Sequence, residues 1–299
     1  MGRVLKESGS LRFVRTSKAT ATVAGVILCL AVSAALAEQI KKTFPTAAKP
    51  SLLLHSYNGN IRVRGWDRNE MEIQAERSSP AMEVVVAEGA EKVTVETRPL
   101  HSDISGEQSR VDFEIQAPRQ ASIRVDAHRG EITVEDMQGG VAIEGVSNSV
   151  DLSSIQGHVS VRTVEGPITV RDSEGHIEVY SISGSLKLVR VNGPEVVAST
   201  NSGSIHYEGD FGLGGTYVLK NYNSPIEILT TSKASFDVTA RAVQGLIESN
   251  LPFRPIPLGS SFRRLPPGKF LQGRFNSGKS TVQVTSFSGT ILLQGPGPQ

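Results

Sequence analysis

From Gly130 onward the chain alternates apolar and polar positions in units of nine residues. They read GEITVEDMQ, GGVAIEGVS, NSVDLSSIQ, GHVSVRTVE, GPITVRDSE, GHIEVYSIS, GSLKLVRVN, then GPEVVASTNS with one extra residue, then GSIHYEGD. Glycine opens the units at 130, 139, 157, 166, 175, 184, 193 and 203, with Asn148 in its place once. The third and fifth positions hold pairs such as Ile132/Val134, Val150/Leu152, Ile168/Val170 and Leu186/Leu188, and a spacing of two puts both side chains on one face of a strand. The eighth position is Met137, Val146, Ile155, Val164, Ile182 or Val191, interrupted by Ser173 and Asn201. All three apolar positions of each unit are expected to feed one core. Glycine or asparagine at the corner admits positive φ, and Ser, Thr or Asp at the seventh position can hydrogen-bond the turn.

One such strand cannot bury its apolar face, but stacked copies can, which is the logic of a solenoid. The fold class expected is all-β, a parallel β-solenoid (β-helix) of strand-and-corner units. The corners TVEG, SISG and TNSG recur at 18 or 19 residues, which suggests two strands per coil, while a coil of about 27 residues with three strands stays open. Regular repeats are expected over 130–209. Residues 50–129, with LLLHSY, NIRVRGW, MEIQAE and KVTVETR, read as irregular N-terminal strands or a cap. Residues 210–299 read as C-terminal strands with a capping, proline-rich basic loop at 251–278, and residues 38–49 as a linker.

The first 37 residues have another character. Five basic residues against Glu7 precede the apolar run ATVAGVILCLAVSAALA, which ends in Ala35, Leu36 and Ala37. This three-part pattern predicts a signal peptide over 1–37, or an N-terminal membrane anchor if it is not cleaved. Either places the body of the chain outside the cytoplasm, in the periplasm, at the cell surface or in the medium. The one cysteine, Cys29, lies in that run, so the remainder has neither disulfide nor thiol chemistry. It would carry 26 basic and 29 acidic residues, a balance that gives no reason to expect nucleic acid as a partner.

The order NGNIRVRGWDR, VDFEIQAPRQASIRV, the glycine-marked units, TYVLKNYNSPIEIL and STVQVTSFSGTILL resembles the bacterial DUF4097 family, the adhesin-like domain, over roughly residues 50 to 295. The resemblance implies an exported or envelope-facing parallel β-solenoid and supplies no catalytic residues. The function expected is a noncatalytic cell-envelope or surface interaction module. The alternatives are a polysaccharide-active β-helix enzyme and an extracytoplasmic sensor of a ligand or partner protein.

The chemistry-bearing residues fit that expectation. Asp136 and Asp172 fall at the seventh position and Asp151 at the fourth, with no aspartate at the seventh position of the units between, so they do not form the repeated ligand set of a calcium-binding roll. His158 and His176 follow corner glycines 18 residues apart and would stack on neighbouring rungs about 4.8 Å apart. They are a candidate metal pair, but two nitrogens without a third ligand make a poor site. Outward positions such as Thr133, Thr169, Lys187, His206, Ser160 and Glu178 form a mixed surface, and neither G-x-S-x-G nor H-E-x-x-H occurs, so no enzyme and no cofactor are expected.

Beyond Glu248 no acidic residue occurs, while Arg254, Arg263, Arg264, Lys269, Arg274 and Lys279 lie among Phe253, Phe262, Phe270 and Phe275. This basic patch could meet an anionic envelope glycan, lipid headgroups or an envelope protein, or its phenylalanines could simply cap the stack. Residues 273–280, GRFNSGKS, match the P-loop pattern. Prolines precede them and the strand-like TVQVTSFSGTILL follows, where a P-loop needs a buried strand and then a helix, so no nucleotide is expected.

Overall fold

A computed structural model of the chain describes residues 38 to 101, 103 to 256 and 269 to 295. The signal or anchor segment, Phe262, Arg263 and Arg264 lie outside the described residues. The described residues are strands and turns with one short 3-10 turn at Gly106–Ser109, and most strand pairs are parallel. The all-β expectation is met.

From Ser122 to Val189 parallel partners stand 18 residues apart, and the spacing grows to 19 and then 21 towards Ile226–Leu229. The strand Ser122–Glu135 lies beside Val141–Ser153, in register from Ile123 with Val141 to Glu135 with Ser153. Both bend midway, and beyond them the pairing separates into two ladders. Gln156–Glu165, Glu174–Ser181, Asn192–Thr200 and Thr216–Asn221 continue the first. Ile168–Arg171, Leu186–Val189, Ile205–Glu208 and Ile226–Leu229 continue the second. Each 18-residue repeat therefore holds two strands, and the three-strand alternative does not fit this register. The extra residue of GPEVVASTNS appears as a register shift between the partners of Glu174 and His176.

Third- and fifth-position side chains from both ladders fill the interior, and Val134, Val159, Val161, Val170 and Ile177 are fully inaccessible. Burying each such side chain contributes about 1.5–3 kcal/mol against a backbone entropy of about 1–2 kcal/mol per residue. Stability therefore comes from neighbouring repeats covering each other.

The eighth position departs from expectation. Met137, Ile155 and Val191 are fully buried, yet Val146, Val164 and Ile182 are 39%, 43% and 55% exposed. The cause is that successive corners differ. At one edge the chain turns through Asp136, Ser154, Asp172 and Arg190, whose φ values of 59°, 57°, 50° and 51° direct the following residue inward. At the other edge a buried hydroxyl closes the turn and the following residue points out. The repeat is therefore 18 residues long with two unlike halves. Ser173, on the inward edge, is buried and satisfied, its hydroxyl donating to the Arg171 carbonyl at 2.7 Å and accepting from Ile155 N at 3.2 Å.

Corner glycines also serve two purposes. Gly175 has the expected positive φ, 137°, whereas Gly184 has none. Gly184 is needed for closeness: a Cβ there would fall on the carbonyl oxygen of Gly166, one repeat back.

Two of the left-handed residues, Asp172 and Arg190, are joined by charge. Arg190 donates Nε and Nη2 to the two oxygens of Asp172 at 2.6 and 2.7 Å. These hydrogen bonds hold the Asp172 carboxyl below the ordinary carboxylate range. A lowered folded-state pKa stabilises above the unfolded value, near pH 4, and this contribution is lost as pH falls through the folded one. Urea midpoints of wild type and Asp172→Asn, which tolerates the same backbone, are expected to differ at pH 6 and to converge towards pH 2.5. The difference should be small and weakened by salt, because the pair is exposed.

Antiparallel strands close both ends. At the N-terminal end Glu70–Arg77 lies antiparallel to Val111–Pro118, and Met82–Ala87 to Lys92–Pro99. Glu38–Pro45, expected to be linker, is a strand antiparallel to Glu70–Arg77, anchored by buried Phe44 and by Lys41 Nζ at 2.9 Å from Glu72. At the other end the final strands in sequence, Ser280–Ser286 and Ile291–Gln294, insert before Phe236–Ala242 and Ile247–Ser249. Beyond them Phe270–Phe275 lies antiparallel to Phe236–Ala242 and carries the short strand Arg254–Pro255 on its other side, and the rings of Phe236, Phe253 and Phe275 meet there.

GRFNSGKS thus runs from strand through a turn into strand. Its Ser280 is buried, with Oγ donating to the Gly212 carbonyl.

The core turns aromatic where Tyr207, Phe211 and Tyr217 pack together. Tyr207 Oη, fully buried, reaches the carbonyl oxygens of Val191 and Asp210, each at 3.0 Å. Tyr207→Phe strands both acceptors and is expected to lower stability by about 1–3 kcal/mol. Burial also raises the Tyr207 pKa well above its usual value. Its contribution is whole below about pH 10 and is lost as the unfolded chain ionises first, so stability should fall less steeply with alkali in Tyr207→Phe. Urea titrations at pH 8 and 11 measure both effects.

Candidate functional site

The hydroxyl-closed edge is the most distinctive surface among the described residues. Thr163 Oγ1 donates to Ser181 Oγ at 3.1 Å, and Ser181 Oγ accepts from Gly184 N at 2.8 Å. Thr200 Oγ1 donates to the Gly184 carbonyl at 2.9 Å and accepts from Gly203 N at 3.2 Å, and Ser286 Oγ accepts from Gly289 N at 2.9 Å. With the hydroxyl turned in, the next residue must turn out. In one repeat the roles are exchanged: Gly145 stands where the hydroxyl would be, and the Asn148 side chain fills the space beside it, donating to the Gly130 carbonyl.

The outward residues form one column. Tyr57 stacks on His128, ring centroids 5.4 Å apart, and His128 lies beside Val146 and then Val164. Ile182, Asn201 and Tyr222 follow on consecutive strands, Tyr222 stacks on Phe287 at 4.7 Å, and Val243 ends the series. Eight steps at about 4.8 Å give a line about 38 Å long. Of nine large apolar side chains exposed among the described residues, six lie in this column: Tyr57, Val146, Val164, Ile182, Tyr222 and Val243. Scattered exposed apolar residues need no explanation, but six of them gathered in one line mark a contact surface.

Two shallow depressions border the column. One of about 460 Å³ lies at His55, Tyr57 and His128, with His55 Nδ1 3.2 Å from Asp126. Another of about 320 Å³ lies between Tyr180 and Tyr222.

The residues singled out in the sequence are less concentrated. His158 and His176 are exposed and directly in register, with Glu195 next in line. No group of three or more His, Cys, Asp or Glu placed to hold a metal occurs among the described residues. In the basic region Arg274 is bound by both oxygens of Asp237, at 2.7 and 2.8 Å, and those hydrogen bonds lower the Asp237 pKa. Lys269 Nζ donates to the carbonyls of Gln244 and Gly245. Arg254 and Lys279 are exposed and make no ion pair among the described residues. The charge run is thus partly spent on structure, through a carboxylate that register brings from another strand.

No family model and no curated protein matches the sequence. Three crystal structures are similar at low identity. A candidate cell adhesion protein from Clostridium sporogenes is 11% identical, covering 87% of this chain and 100% of its own, with a TM-score of 0.30. A candidate adhesin from Parabacteroides merdae is 10% identical, covering 86% and 96%, with a TM-score of 0.36. A candidate adhesin from Bacteroides fragilis is 14% identical, covering 87% and 97%, with a TM-score of 0.32. Likeness at this level carries no role across to this chain.

Proposed function

We propose that this chain is an exported, noncatalytic β-solenoid of the DUF4097 type that serves as a surface-interaction module at the cell envelope. The observation that carries the reading is the apolar column on the hydroxyl-closed edge. Export rests on the basic and apolar N-terminal pattern, and the solenoid on the 18-residue register with two strands per repeat. An enzyme needs acids, bases or nucleophiles converging on one substrate position. This edge instead offers a rigid line of β-branched and aromatic side chains, suited to holding a partner through burial.

The test is retention of the purified protein on isolated envelope fractions. Binding is expected for wild type and strongly reduced for Val164→Asp/Ile182→Asp, with an unchanged melting temperature. Undiminished binding by the double variant, or catalytic turnover of envelope polysaccharide, would overturn the reading.

A further inference from the structure

The column is interrupted at one rung. On the strand Asn192–Thr200 and the corner after it, the outward residues are Ser199 and Asn201, whereas the rungs on either side carry Tyr180 and Ile182, then Lys220 and Tyr222. Tyr180, Ser199 and Lys220 are consecutive register partners, so the walls stand two strand spacings apart, about 9.6 Å. The small side chains between them leave the depression of about 320 Å³. Its floor is fixed, because Thr200 and Asn221 beneath it are buried and hydrogen-bonded to the carbonyls of Gly184 and Ser224.

The polar tips facing this notch are unspent. The side chains of Ser199, Asn201, Lys220, Tyr180 and Tyr222 make no side-chain hydrogen bond among the described residues. Lys220 and Asn201 are exposed, Tyr222 is 49% exposed, and its ring is stacked parallel to that of Phe287 at an interplanar angle of 3°. Tyr180 is steadied from its far side by Arg162, whose guanidinium carbon lies 5.4 Å from the ring centre and which also pairs with Glu178 at 3.6 Å. Lys220 makes no ion pair among the described residues, so its charge is available to a ligand.

We propose that this notch is a saccharide subsite that takes a pyranose unit bearing a carboxylate, as in an acidic polysaccharide. Aromatic faces carry negative quadrupole charge and attract the electropositive C–H faces of a sugar ring, and a tyrosine fixed by stacking loses little entropy on binding. The Ser199 hydroxyl and the Asn201 amide can both donate to and accept from ring hydroxyls. Lys220 supplies the ammonium for the carboxylate. Polymer extending from the notch would lie along the apolar column, whose rungs repeat at a similar spacing. The inference rests on the reading of this edge as a contact surface, but it names a ligand class which that reading does not require.

The probe is a tetramer of galacturonate, with a neutral cellotetraose control, titrated calorimetrically into the purified protein at low and high salt. Binding of the uronate is expected, weakening with salt and exceeding that of the neutral sugar. Lys220→Met should lower affinity about tenfold and remove most of the salt dependence, and Tyr222→Ala should lower it about tenfold, as loss of a central anchor does. Lys220 is exposed, so Lys220→Met should leave the melting temperature unchanged, Tyr222→Ala should lower it only slightly through the lost stacking on Phe287, and Tyr222→Phe should retain both stability and most of the affinity. Absence of uronate binding, equal binding of both sugars, or indifference to Lys220→Met would overturn the inference. If uronate binding is absent while envelope retention still depends on Val164 and Ile182, the subsite fails and the contact surface stands. If both are absent, the two fall together.

Discussion

Ile155→Asp is expected to unfold the protein, whereas Ile182→Asp should leave its stability within about 0.5 kcal/mol of wild type. Both residues occupy the eighth position of a nine-residue unit, so a uniform repeat would treat them alike. Ile155 is fully buried, in line with buried Met137, Ser173 and Val191, and among the described residues that row holds no cation to pair with a new carboxylate. An unpaired buried charge costs about 3–5 kcal/mol, comparable to much of a domain's net stability. Ile182 is 55% exposed on the opposite edge, where a carboxylate remains in water. Urea denaturation of both variants reads the contrast, and equal losses would mean that the two edges have been wrongly distinguished.

The second large effect is expected at Gly175. Alanine there is opposed twice: φ is 137°, outside the range L side chains readily adopt, and the new Cβ would fall on the Gly157 carbonyl oxygen. The repeats cannot separate at that point without breaking the hydrogen bonds between Glu174–Ser181 and Gln156–Glu165. Gly175→Ala should therefore cost about 3 kcal/mol or more. Gly214→Ala is the control: φ is 75° and nothing lies within 4 Å of the added atom, so only the conformational cost of about 1–2 kcal/mol remains. Thermal melts separate the two terms, and similar losses for both would remove close stacking as the reason for the glycine column.

Much of this architecture was legible in the sequence because its determinants are local. Alternating pairs such as Ile168/Val170 specify strands, corner glycines mark their ends, and the TVEG and SISG spacing specifies the 18-residue repeat. The exposed column stays hidden as long as the two kinds of corner are read as one. The distinguishing signal lay in the seventh position. Asp136, Ser154, Asp172 and Arg190 precede buried residues, whereas Thr163 and Ser181 precede exposed ones. Aspartate tolerates the left-handed backbone of the first edge better than most residues, and a β-branched threonine is among the least able to adopt it.

Two other features of the structure were hidden for long-range reasons. Residues 38 to 45 have a weak alternation that becomes a strand only when Glu70–Arg77 is alongside. The basic C-terminal run gains its carboxylate from Asp237 through strand pairing, which the order of residues does not display.

The central claim is that one edge residue per strand falls on a single line across consecutive strands. Spin labels at Tyr57→Cys and Val243→Cys test it most directly, in a protein whose one native cysteine, Cys29, has been replaced by serine. Eight strand spacings place the labelled positions about 38 Å apart by pulsed electron resonance. A dominant separation of roughly half that value would contradict the stacking order of the strands, and with it the column.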